Sequence, residues 1–129
     1  MTAGAIDPAV ERFLLDSIDT VPHLEALLLL FQSPITVWTV VELASRIYVS
    51  DRQASAIVDD LTRRSLIVRI EQTPAAYQYV ARSPEQTALL EKVAHSYRTQ
   101  LVQLTRFIHS NASGSVRDFA RAFRLKDKD

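Results

Sequence analysis

Cysteine is absent from the chain, which removes disulfides, thiolate metal sites and a cysteine nucleophile together. Glycine is almost absent, with only Gly4 and Gly114, and proline is confined to Pro8, Pro22, Pro34, Pro74 and Pro84. A chain this poor in breakers, with most prolines where apolar segments begin or end, favours helices joined by short connections. No long hydrophobic run is present: the longest, residues 26–31, is far below the roughly 20 residues that span a bilayer. The opening MTAGAIDPAVERF lacks the basic stretch and apolar run of a secretory signal. A soluble cytoplasmic protein is the expectation.

An excess of charge is missing as well. Lysine and arginine total 15 and aspartate and glutamate 15, for a formal net charge of zero over 129 residues. The distribution is uneven: residues 1–35 carry Asp7, Glu11, Asp16, Asp19 and Glu25 against Arg12, whereas bases outnumber acids eight to five in residues 83–129. A dedicated nucleic-acid binder is usually more basic, so tight non-specific DNA binding is not expected. With 47% hydrophobic and 23% charged residues, the chain has the composition of an ordinary globular protein. The reading is a single domain over 1–129, made of an accessory helix (1–20), a core (21–82) and a helical carboxy-terminal part (83–129).

The most specific pattern lies in residues 36–82. Thr39 and Glu42 form a capping box, in which each side chain satisfies an amide at the other end of one turn. Val40, Leu43, Ala44 and Ile47 then repeat at helical spacing. Tyr48 and Val49 make a turn. Ser50 with Gln53 forms a second capping box, and Ala54, Ile57, Val58 and Leu61 give the next helix its buried face. After Arg64 and Ser65 the period changes: residues 66–70 read as a strand, 73–76 as a turn and 77–80 as the returning strand.

On the amino side, Asp7 and Pro8 start a helix whose stripe is Val10, Phe13, Leu14 and Ile18. Val21, Pro22 and His23 open a second helix, apolar nearly all round through Leu24, Leu27, Leu28, Leu30 and Phe31, which predicts deep burial. On the carboxy side, Ser83, Pro84 and Glu85 start a helix with no breaker before about Ser110, a length of about 40 Å. Leu90, Ala94, Tyr97, Leu101, Leu104 and Ile108 alternate spacings of four and three, a coiled-coil-like seam able to face a partner. Ser115 and Asp118 cap a last helix bearing Val116, Phe119, Ala120 and Phe123.

ValGluLeuAlaSerArgIle at 41–47, SerAspArgGln at 50–53, LeuThrArgArgSerLeuIle at 61–67 and the hairpin after them resemble bacterial winged-helix transcriptional regulators. An extra helix before the motif and a long helix after it make the layout similar to the MarR family. The resemblance implies a mainly α (α+β) winged helix-turn-helix fold, with the fourth helix in the major groove of DNA and the terminal helices forming a homodimer. It also implies a small aromatic effector as a possible ligand. Two departures stand out: Ser65 occupies a position where such regulators usually have glycine, and the wing tip, Gln72 to Ala76, carries no base to meet a phosphate.

Under the DNA-binding reading, Arg52, Gln53 and Ser55 face base edges from the outer side of the fourth helix, and Arg46, Arg63, Arg64 and Arg69 meet phosphates. Asp51, Asp59 and Asp60 on the same helix would repel the backbone. The competing reading makes these solvated positions, with Asp59 or Asp60 paired to Arg63 or Arg64, on a winged helix that serves as a protein-interaction module or adaptor without DNA binding. Dimer contacts are expected from Phe13, Leu90, Tyr97, Leu101, Leu104, Ile108, Phe119 and Phe123. Arg117, Arg121 and Arg124 share a face of the last helix, with Lys126 and Lys128 beyond. That face fits either an acidic protein partner or plain solvent.

His23 reads as a local hydrogen-bonding residue at a helix start. His95 and His109 would stand about 21 Å apart along one helix, too far to share a metal. No glycine-rich phosphate loop or nucleophile motif occurs, so neither enzyme activity nor a cofactor is expected.

Overall fold

The structure is a computed structural model and describes residues 5–111 of the chain. In order, these form α1 (Pro8–Ser17), α2 (Val21–Gln32), β1 (Trp38–Thr39), α3 (Val40–Ile47), α4 (Asp51–Arg63), β2 (Val68–Ile70), β3 (Ala76–Gln78), α5 (Pro84–Thr99) and α6 (Leu101–Ser110). They divide into two compact units, one spanning Pro22–Leu90 and the other the described parts of Met1–Val21 and Glu91–Asp129. The last helix expected from Ser115 onward, with Phe119, Phe123 and its arginine stripe, lies outside the described residues. Among those described, no helix is long and apolar enough to cross a membrane.

In the Pro22–Leu90 unit, both capping boxes form as their spacing predicts. The Thr39 hydroxyl accepts from the Glu42 amide at 3.2 Å while the Glu42 carboxylate accepts from the Thr39 amide at 2.9 Å. The Thr39 amide and hydroxyl hold the Glu42 carboxyl below its ordinary pKa. Ser50 and Gln53 repeat the arrangement at the start of α4, with both amide contacts at 3.1 Å. Between the helices Tyr48 takes the left-handed conformation at φ 60°, and the Val49 amide reaches back to the Ala44 carbonyl at 3.1 Å.

The end of α4 explains the unusual Ser65. Its φ is 64°, its amide bonds the Thr62 carbonyl at 2.9 Å, and the next amide, of Leu66, bonds the Leu61 carbonyl at 3.0 Å. This is a Schellman motif, whose left-handed position favours glycine because a Cβ crowds the following carbonyl. Ser65→Gly is therefore expected to stabilise the protein by about 1 kcal/mol. The urea midpoint should rise with an unchanged slope. A fall in midpoint would mean that the serine side chain contributes more than its backbone strain costs.

The sheet is antiparallel in the order β1-β3-β2. Trp38 pairs with Tyr77 and Thr39 with Ala76 on one side of β3; Val68, Arg69 and Ile70 pair with Gln78, Tyr77 and Ala76 on the other. The expected hairpin is present, with shorter strands: Leu66 and Ile67 are core residues ahead of β2 instead of ladder positions. β1 was not anticipated, since a two-residue strand is too brief to show a period. Beyond β3, Tyr79 meets Phe31 edge to face at 5.1 Å and donates to Gln86 at 3.2 Å. The core of this unit draws on Leu24, Leu27 and Leu30 of α2, Leu43 of α3, and Ala54, Val58 and Leu61 of α4, all at 0–1% exposure.

In the other unit, Asp7 caps α1 by accepting from the Ala9 amide at 2.7 Å, and Val10, Phe13 and Leu14 are buried. The single long helix expected after Pro84 is instead two. Gln100 leaves helical geometry at φ −134°, ψ 41°, between α5 and α6, and its side-chain amide donates to the Ala5 carbonyl at 2.7 Å. The break thus coincides with a contact to residue 5 and falls at neither a proline nor a glycine. It also interrupts the seam: Leu90, Ala94, Leu104 and Ile108 are buried within their own chain, while Leu101 is 46% and Val102 57% exposed.

Candidate nucleic-acid interface

α4 divides cleanly by periodicity. Ala54, Ile57, Val58 and Leu61 are buried, which leaves Arg52, Ser55, Ala56 and Asp59 exposed on the opposite side. Residues at i, i+3 and i+7 stand over one another on a helix, so Arg52, Ser55 and Asp59 share one outward face. None of the three has a hydrogen-bond or ionic partner among the described residues.

The other expected contact residues are already engaged. Gln53 is exposed, but its carbonyl oxygen is held by the amide and hydroxyl of Ser50, 3.1 and 3.2 Å away. A bidentate contact to adenine needs that oxygen, so the cap competes with base reading. The Arg46 guanidinium lies 5.2 Å over the Trp38 ring. Arg63 pairs with Asp60, and Arg69 on β2 pairs with Glu71 at 2.9 Å. Arg64 is the C-cap of α4 and is half-buried. The structure thus gathers Arg52, Gln53 and Ser55 on the first turns of α4 and spreads the remaining arginines over α3, the end of α4 and the wing.

Asp60 is tied in two directions. Its carboxylate accepts from His23 Nε2 on α2 at 2.8 Å and also binds Arg63 one turn further along α4. Burial raises its pKa, but the hydrogen bonds and charges of His23 and Arg63 outweigh that and leave it below the ordinary value. Besides the local role expected for it, His23 makes a contact spanning 37 residues. No sequence spacing within α2 could have signalled it. Elsewhere, Arg82 Nε donates to the Ser65 carbonyl at 2.7 Å, which joins the chain after β3 to the end of α4.

Of the residues expected to face a second subunit, Phe13, Leu90, Leu104 and Ile108 are buried within the chain. Tyr97 is half-buried and Leu101 is exposed. His95 and His109 are exposed, on α5 and α6 respectively.

Two capped helices joined by a left-handed turn, with an antiparallel hairpin directly after the second, define a winged helix-turn-helix. No protein-family model and no curated protein matches the chain. Solved structures do match it. MepR, a transcription regulator of the Staphylococcus aureus multidrug efflux pump MepA, aligns over 91% of this chain and 83% of its own, at 15% identity and a TM-score of 0.53. A multiple antibiotic-resistance repressor (MarR) from Listeria monocytogenes aligns over 93% and 78%, at 16% identity and 0.52. A MarR family protein from Bacillus stearothermophilus aligns over 92% and 80%, at 19% identity and 0.51. The chain has the MarR-type winged-helix fold, mainly helical with helices flanking the motif on both sides.

Proposed function

We propose that the protein is a cytoplasmic transcriptional regulator that binds double-stranded DNA as a homodimer, with α4 in the major groove of each half-site. The observation that carries this reading is the outward face of α4, where exposed Arg52 has its guanidinium uncommitted within the described chain. A guanidinium fork so placed suits the paired acceptors of guanine. The fold neighbours support the same reading, since MepR and the Listeria protein are a regulator and a repressor. Dimerisation would set two such helices about 34 Å apart on a palindromic site. Exposed Leu101 and Val102 on α6 offer apolar surface for it. A dimer is also what the charges call for, because Asp51, Asp59 and Asp60 reduce the attraction of each single α4 to phosphate.

The test is retention of genomic DNA fragments at low and moderate salt. The wild type should bind with a salt dependence, and Arg52→Ala should weaken binding about tenfold. On sedimentation at micromolar concentration a dimer is expected, shifted toward monomer by Leu101→Glu. Absence of any salt-dependent DNA retention by the wild type would sink the regulator reading. It would leave the adaptor reading, which is favoured by one observation: Ile35, Val37 and Val41, before and within the start of α3, are 93%, 39% and 62% exposed.

A further inference from the structure

The geometry points to Asp59 as a residue that determines DNA sequence specificity by selecting a cytosine about two to three base pairs from the guanine read by Arg52. This rests on the DNA-binding reading above and assigns a base to that same helix face.

Three observations lead to it. First, Asp59 stands on the outward face of α4 with Arg52 and Ser55, exposed and opposite the buried Ala54, Ile57, Val58 and Leu61. Second, its carboxylate has no partner among the described residues, even though Arg63 lies one turn further on. Arg63 binds Asp60 instead, and Asp60 is anchored to His23 at 2.8 Å. The network of His23, Asp60 and Arg63 thus engages Arg63, which stands at helical spacing to neutralise Asp59. Third, the face offers opposite chemistry at its two ends, a donor fork at Arg52 and an acceptor at Asp59, with the small side chains of Ser55 and Ala56 between them.

An unpaired carboxylate is repelled by phosphates and by the acceptor edges of guanine and thymine. The major-groove group it can meet on favourable terms is an amino donor; cytosine offers N4 with no acceptor beside it, whereas the N6 amino group of adenine stands next to N7, an acceptor that repels the carboxylate. Seven residues of helix rise about 10.5 Å, and along the inclined groove, where each base-pair step is longer than its rise of about 3.4 Å on the axis, this covers about two to three steps. Arg52 over a guanine therefore places Asp59 over a base pair about two to three steps along the groove. Cytosine there satisfies the carboxylate, whereas guanine or thymine leaves it facing an acceptor.

The experiment is selection from a randomised duplex library by the full-length wild type, Asp59→Asn and Asp59→Ala. All three should give the same far-UV circular dichroism, because the position is exposed. Wild-type selections should contain a guanine and a cytosine at this spacing in each half-site, with about tenfold weaker binding when the cytosine is replaced. Asp59→Asn should move the preference at that position to adenine, which an amide can contact through N6 and N7, and leave the guanine unchanged. Asp59→Ala should lose the preference there. If both variants keep the wild-type base at that position and bind all duplexes uniformly more tightly, Asp59 only repels and the inference is wrong. Salt-dependent binding with no selected sequence would overturn it too, while leaving DNA binding intact. Failure of the wild type to retain any DNA is the separate outcome that removes the DNA-binding reading itself.

Discussion

Leu61→Ala is expected to lower the stability of the protein by about 3 kcal/mol. Leu61 is completely buried on the inner face of α4, and its carbonyl accepts the Leu66 amide that closes the helix. The side chain anchors α4 in the core at the turn where the chain leaves for the wing. Truncation removes the transfer energy of the lost methyl groups and leaves a void that the surrounding core fills only in part. Stabilities of about 5–15 kcal/mol are usual for domains, so a loss of this size is a large share of the total. Val41→Ala, at a position 62% exposed on α3, is the control and should change stability by less than about 0.5 kcal/mol. Urea unfolding of both variants reads the contrast directly. Equal effects would mean that the division of these helices into inner and outer faces is mistaken.

That division was legible in the sequence because it is local. The capping pairs Thr39 with Glu42 and Ser50 with Gln53 each lie within one turn, and the buried residues of α3 and α4 recur at the helical period. Features that depend on distant partners were not legible. β1 exists because Trp38 and Thr39 meet Tyr77 and Ala76, and α5 ends where the Gln100 side chain finds the Ala5 carbonyl. Nothing within a few residues of either position announces these contacts. The left-handed Ser65 is an intermediate case: glycine was expected there, the conformation that favours glycine is present, and serine adopts it.

The candidate site shows the same partition. Periodicity alone placed Arg52 and Ser55 on the outside of α4, but it could not say which side chains were already committed. Arg46 and Trp38 are eight residues apart, with a strand residue and nearly all of a helix between them, and the ring contact depends on how β1 meets α3. Gln53 was readable both as a cap and as a base reader, and its bonds to Ser50 put its oxygen to use in the cap. The aspartates that sequence reasoning grouped as repulsive separate into two kinds once the fold is known. Asp60 is held by two partners on two helices, whereas Asp59 points outward with none among the described residues.

Asp60→Ala should cost about 2 kcal/mol near neutral pH, the size expected for hydrogen bonds made by a charged group. The carboxylate is 23% exposed and joins α2 to α4 through His23 while also holding Arg63. Part of the cost is the loss of an acceptor for a histidine that is itself 8% exposed. The pH dependence distinguishes this network from simple packing. Burial alone would raise the Asp60 pKa; His23 and Arg63 together reverse that and depress it in the folded state. A depressed carboxylate binds its proton less readily folded than unfolded, so its stabilisation is fully present above the unfolded value of about 3.9 and is lost as pH falls through the lower folded value. The gap in urea midpoint between wild type and Asp60→Ala should therefore be wide near pH 6 and narrow steadily on acidification below about pH 4. A gap that stays constant over that range would assign the effect to lost packing atoms and not to the ionised pair. Because the same network withholds Arg63 from Asp59, loss of Asp60 should also let Arg63 pair with Asp59 at the helical spacing of four. Under the proposed DNA-binding reading, Asp60→Ala would then change the base preference of α4 as well as its stability, two readouts from one carboxylate.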